Sequence, residues 1–154
     1  MTKNTTLSRT SKRRPPCAEE VAFVDLLRTC DLLSRPLAQL LKPEDLSSTQ
    51  YNVLRILRGS PEGLTCGEIA SRMITRDPDI TRLLDRLEKR ALISRWREAR
   101  DRRVVMAKIT PEGLNVLARL DDSVEQTHRK QLGHMGKEKL RALAALLEAA
   151  RSSE

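Results

Sequence analysis

The sequence predicts a mainly α-helical fold with one small β-hairpin, on three observations. Apolar residues recur at intervals of three and four over most of the 154 residues. Two neighbouring stretches, Ala91 to Arg97 and Arg103 to Ile109, are instead β-prone and are separated by the polar loop Glu98 to Arg102. Capping signals, a Ser or Thr followed three residues later by Glu or Gln, stand where helices would open. The length suits one domain, expected over 17–154, and leaves no room for a separate catalytic domain.

Residues 1–16 carry Lys3, Arg9, Lys12, Arg13 and Arg14 without an acid or an apolar face, and end in Pro15-Pro16. They read as a disordered basic tail rather than a secretory signal, which needs a hydrophobic stretch. No transmembrane run occurs. From Glu19 to Leu41 the set Phe23, Leu26, Leu27, Cys30, Leu33, Leu37, Leu40 and Leu41 marks an amphipathic helix, which Pro36 should kink or interrupt. Ser47 with Gln50 opens a second helix, Ser48 to Arg58, closed by Gly59 and Pro61. Thr65 with Glu68 opens a short third. Asp77-Pro78 suggests a cap followed by proline at the first helical position, starting a fourth helix that runs to about Arg90. The hairpin follows. Thr110-Pro111 starts a fifth helix with Leu114, Leu117, Leu120 and Val124 on its apolar side. Gly133 or Gly136 breaks it before a last helix, Lys137 to Arg151, striped by Leu140, Leu143, Leu147 and Ala150. A central unit of three helices and a hairpin, flanked by helices at both ends, has the order of a winged helix-turn-helix.

The chain holds 29 Lys and Arg against 21 Asp and Glu, a net +8 that favours a polyanionic partner. One Trp, one Tyr and one Phe are too few to stack single strands, so duplex DNA fits better than RNA. The stretch Arg72 to Lys108 contains twelve Lys or Arg and six Asp or Glu, +6 of that net charge. In the fourth helix Ile80, Leu83, Leu84 and Leu87 form the apolar stripe, leaving Thr81, Arg82, Asp85, Arg86 and Lys89 on the opposite face. Such a face suits a major groove: arginine forks can bridge guanine O6 and N7, and threonine can meet base edges or phosphates. Asp85 either accepts from cytosine N4 or orients Arg82 and Arg86. Thr75 and Arg76 stand at the helix entry. In the wing, Arg100, Asp101, Arg102 and Arg103 can set guanidinium groups against a minor groove, with Asp101 pairing Arg103 to fix the loop.

These residues resemble the MarR (multiple antibiotic resistance regulator) family. The matching stretches are L-S-S-T-Q-Y-N-V-L at Leu46 to Leu54, L-T-C-G-E-I-A at Leu64 to Ala70, and D-I-T-R-L-L-D-R-L-E-K-R-A-L-I at Asp79 to Ile93. The wing stretch D-R-R-V-V-M-A-K-I-T-P-E-G, Asp101 to Gly113, is the most specific. The resemblance implies a cytoplasmic homodimer built through helices in 19–42 and 111–154, with a DNA-binding lobe in 46–110 reading a pseudo-palindromic operator. It also implies a repressor released by a small-molecule effector, a metal or an oxidant. Arg82 and Arg86 match recognition-helix positions, and Asp101 and Arg103 match the family's wing Asp-x-Arg pair. Ala91 departs from the glycine common at that turn.

Cys17, Cys30 and Cys66 are an odd set without C-x-x-C spacing, which suggests reduced thiols rather than disulfides or zinc. They are the candidate redox residues. Cys17 precedes the first helix, Cys30 falls in its apolar stripe as a small hydrophobe, and Cys66 stands at a helix N-terminus, a setting in which a thiol can be reactive, with the bland reading an exposed residue beside the Thr65 cap. His128 and His134 lack the spacing that presents two imidazoles to a metal from one helix face, so no metal or cofactor is expected. No nucleophile-and-base pattern suggests an enzyme. The alternatives to a DNA-binding regulator are a winged-helix protein-interaction module and a thiol-based redox regulator.

Overall fold

The computed structural model describes residues 14–152. The tail expected over 1–16 lies, up to residue 13, outside the described residues. In chain order the elements are α1 (Ala18–Leu41), a 3-10 turn (Lys42–Glu44), α2 (Ser48–Arg58), β1 (Leu64–Thr65), α3 (Cys66–Arg72) and α4 (Ile80–Lys89). There follow β2 (Ile93–Arg97), β3 (Val105–Ile109), α5 (Pro111–Leu132), a 3-10 turn (Gly133–Met135) and α6 (Gly136–Arg151).

Two compact units divide between Leu32 and Leu33. The first contains most of α1, and Val21, Phe23, Leu26, Leu27 and Leu32 stand exposed on it. Of the two outcomes expected at Pro36, interruption does not occur, and α1 continues through it. That proline is exposed, so the single backbone bond it forfeits is lost on the solvent side.

The second unit has one core. Leu54 and Leu57 of α2, Ile69 of α3, Leu84 and Leu87 of α4, and Leu117 of α5 are each fully buried there. Burying a leucine contributes about 2 kcal/mol, so these six fix how the helices meet. No polar or charged residue is buried among the described residues.

Both capping boxes form. The Ser47 hydroxyl accepts from the Gln50 amide at 3.1 Å while the Gln50 side chain accepts from the Ser47 amide at 2.9 Å. Thr65 and Glu68 do the same at 3.2 and 2.8 Å. The third start is shifted: α4 opens at Ile80 rather than Pro78, because Asp79, not Asp77, takes the cap and accepts from the Arg82 amide at 3.0 Å. Asp77 instead accepts from the Asp79 amide at 2.9 Å and bends the chain into the cap.

The sheet has three antiparallel strands in the order β1-β3-β2, with Leu64 opposite Ala107 and Trp96 opposite Met106. β1 was not foreseen, since two residues show no alternation. Gly63 permits it: at φ +90 a side chain would be strained, and a Cβ would meet Trp96 at 2.7 Å and the Ala107 carbonyl at 2.9 Å. The two hairpin strands each begin two residues later than expected, at Ile93 and Val105. For the first, Ala91 is occupied in a turn at φ 54. A non-glycine residue there costs about 1 kcal/mol, of which glycine's extra unfolded-state entropy returns part. Ala91→Gly is therefore expected to stabilise the protein by about 0.5 kcal/mol, read as a higher urea midpoint at unchanged slope.

Candidate nucleic-acid interface

α4 buries Leu83, Leu84 and Leu87, with Ile80 half-buried, and leaves Thr81, Arg82, Arg86 and Lys89 exposed. Thr75 and Arg76 are exposed ahead of its first turn. The entry loop is held from α2: the Asn52 side chain accepts from the Ile74 amide at 2.9 Å, a link the sequence did not signal. Arg82 Nε lies 3.4 Å from Asp79 Oδ2, with both side chains more than half exposed. Such a pair is worth at most about 1 kcal/mol, so little opposes transfer of Arg82 to a stronger acceptor.

Asp85 turns to the wing strand rather than to Arg82 or Arg86. Its carboxylate accepts from Arg95 of β2, and so does that of Glu88, at 2.6 Å from Arg95 Nη2 and 2.9 Å from Nε. The Arg95 side chain is only 19% exposed, and the hydrogen bonds to Glu88 and then Asp85 hold its charge more firmly than usual. Arg95 thus clamps the wing's first strand to the exposed helix. Sequence reading missed it because its partners lie seven and ten residues upstream on another element. Arg95→Met is expected to lower stability by about 1 to 2 kcal/mol, since the deserted carboxylates can rehydrate; urea denaturation followed by the single Trp96 would read it.

At the wing tip Arg100, Arg102 and Arg103 are exposed. Asp101 fixes the loop as anticipated, but through backbone rather than the Arg103 guanidinium: its carboxylate accepts from the Arg103 amide at 2.9 Å and its carbonyl from the Val104 amide at 3.0 Å. Arg97 Nη1 adds a bond to the Arg102 carbonyl at 2.7 Å. The three tip arginines are left facing solvent.

Behind α4 the scaffold is pinned at two points. Arg90, just past its last turn, donates to the carbonyls of Asp45 and Glu44 at 2.5 and 2.7 Å. Glu44 turns its carboxylate to Arg119 of α5 at 2.8 and 3.0 Å, a hydrogen-bonded pairing that holds it below the ordinary glutamate range.

Elsewhere, Cys17 and Cys30 are exposed, so Cys30 is not shielded within this chain as an apolar-stripe residue would be. Cys66 is partly buried against the core rather than exposed, because the first turn of α3 lies on the sheet end of that core. His128 and His134 are exposed on α5 and the turn after it. No grouping among the described residues could hold a metal ion, and none of their helices is long and apolar enough to cross a membrane.

The chain is similar in sequence and fold to known proteins. The model of the MarR family matches residues 46–105. A MarR transcription factor of Planctomyces limnophilus, solved by crystallography, is 40% identical over 89% of this chain and 99% of its own, with a TM-score of 0.66. This chain belongs to the MarR family. It is accordingly a transcription regulator rather than an enzyme. A curated relative, the homoprotocatechuate degradative operon repressor of Escherichia coli, is 28% identical over 71% of this chain and 73% of its own. The fold alone is shared with Sco3205, a MarR family regulator of Streptomyces coelicolor solved in complex with DNA, at 24% identity, 92% and 91% coverage and a TM-score of 0.78.

Proposed function

We propose that this MarR-family regulator is a sequence-specific duplex-DNA-binding repressor that acts as a homodimer on a pseudo-palindromic operator. α4 enters the major groove, with Thr81, Arg82, Arg86 and Lys89 toward base edges and phosphates and Thr75 and Arg76 at the backbone. Arg100, Arg102 and Arg103 meet the adjacent minor groove, with Asp101 holding their loop. The observation that carries this reading is the clamp of Arg95 on Asp85 and Glu88, which makes the exposed cationic face of α4 and the wing one rigid surface. Wing and helix must keep a fixed offset to meet neighbouring grooves together. The DNA complex of the Streptomyces relative and the repressor named among the relatives support the reading.

Dimerisation through the end helices is supported by the apolar residues left uncovered there, Val21, Phe23, Leu26, Leu27 and Leu32 on α1 and Leu146 on α6. A concavity of about 460 Å³ between α2 and α5 is lined by Tyr51, Arg55, Arg58, Asp121, Glu125 and His128; Glu125 is engaged by Arg129, and Arg55, which pairs with no carboxylate among the described residues, is the cation it offers an anionic effector. Arg58 is already held by Asp121 at 2.8 and 2.9 Å. A cytoplasmic location follows from this role.

Titrating the protein into its own promoter fragments and into random duplex of equal length, across a salt series and followed by anisotropy, tests the proposal. Tight promoter binding with two chains per site and a steep salt dependence is expected. Equal, weak binding to both duplexes would refute base reading and favour a protein-interaction module.

A further inference from the structure

A concavity of about 540 Å³ lies between the C-terminal half of α4 and the segment leading into α2. Its lining includes Arg86, Lys89 and Arg90 from the α4 side, and Lys42, Asp45 and Ser47 from the other. Four cations therefore face one acid. The second nearby acid is diverted, because Glu44 turns to Arg119. Arg90 is spent on the carbonyls of Glu44 and Asp45, which fixes the two walls relative to each other. Asp45 adopts a left-handed conformation at φ 51, so the turn carrying Lys42 is set by backbone as well as by Arg90. Among the described residues no carboxylate pairs with Lys42, Arg86 or Lys89.

We infer that this cleft seats the duplex backbone itself: one phosphate strand bordering the major groove lies between Lys42 and Lys89, with Arg86 at the boundary between groove and cleft. The inference rests on the DNA-binding reading and extends it to a residue 38 positions before α4 begins, Lys42, on an element outside the helix-turn-helix and wing. A helix in a major groove is flanked by phosphates, and contacts to them position the protein without reading sequence. An occupant of this cleft consequently adds affinity equally to every duplex. Lys42 belongs to a class of contact different from that of Arg82.

Lys42→Gln keeps length and polarity and removes the charge from an exposed side chain. Lys139→Gln, exposed on α6, controls for the loss of one net positive charge. Anisotropy titrations of both variants and wild type, with promoter and random duplex over a salt series, supply the readout. Lys42→Gln should lower the slope of log affinity against log salt by about 0.9 per protomer, and weaken binding roughly fivefold per protomer at about 0.15 M salt. The ratio of promoter to random affinity should not change, and Lys139→Gln should match wild type. Wild-type slope and affinity in Lys42→Gln would overturn the cleft while leaving base reading intact. If wild type binds both duplexes alike, base reading fails, and the Lys42→Gln slope still decides the cleft. Absence of binding to either duplex overturns both.

Discussion

Arg82→Ala is expected to lower operator affinity by roughly 10- to 100-fold at each half-site while changing affinity for random duplex far less. Arg82 is exposed on the first turn of α4, where it pairs with Asp79 through a solvent-facing contact of little energy. A bidentate contact to guanine is worth about 1 to 3 kcal/mol of discrimination, more than that pair contributes. Removing the side chain leaves the helix start intact, because Asp79 caps through the backbone amide of residue 82. The variant should therefore melt near wild type, and the loss should appear in the promoter-to-random ratio. An unchanged ratio would remove Arg82 from the base-reading set.

Gly113→Ala is expected to destabilise the protein by about 3 kcal/mol, lowering the melting temperature by roughly 10 °C. Helix propensity alone points the other way, since alanine is better than glycine inside a helix by about 1 kcal/mol. Here a Cβ would overlap the Leu92 carbonyl oxygen and come within 2.7 Å of Ile109 Cγ1. Backbone cannot step aside as a flexible side chain can. The same Leu92 carbonyl accepts from the Thr110 amide at 3.1 Å, and Thr110 Oγ1 donates to the Ala91 carbonyl at 2.7 Å. Widening the gap would break the seam that joins the end of α4 to the start of α5. A differential scan of the variant showing wild-type stability would contradict this packing.

Local chemistry made much of the fold legible. Ser47 with Gln50, Thr65 with Glu68, and Thr110 before Pro111 are self-contained signals, and each opens a helix where it should. The heptad-like spacing of Leu83, Leu84 and Leu87 identified which face of α4 turns inward, and hence which side chains remain outside. Competition between adjacent signals was harder. Asp77-Pro78-Asp79 holds two capping residues, and the choice between them is made by a turn that the pattern does not encode. Arg95, Asn52 and Arg90 act across distances in the chain that have no local signature. Their partners are a helix surface, a loop amide and two turn carbonyls, defined only once the core has brought the elements together. Pro36 shows the reverse case, a strong local signal that does not end the long helix it sits in.

The contact between Glu88 and Arg95 has a further consequence, for solubility. β3 is the middle strand, so β2 is an outer edge of the sheet. Unpaired amides along such an edge invite another chain to add a strand, the usual first step of β-aggregation. At the midpoint of β2, however, the Arg95 amide already donates to Glu88 Oε1 at 3.2 Å. A helix side chain occupies the position that an incoming carbonyl would need, and Arg95 and Arg97 add charge along the same strand. The exposed helix thereby shields its own sheet from polymerising, so a Glu88 substitution should be judged by sedimentation of the concentrated protein as well as by its stability.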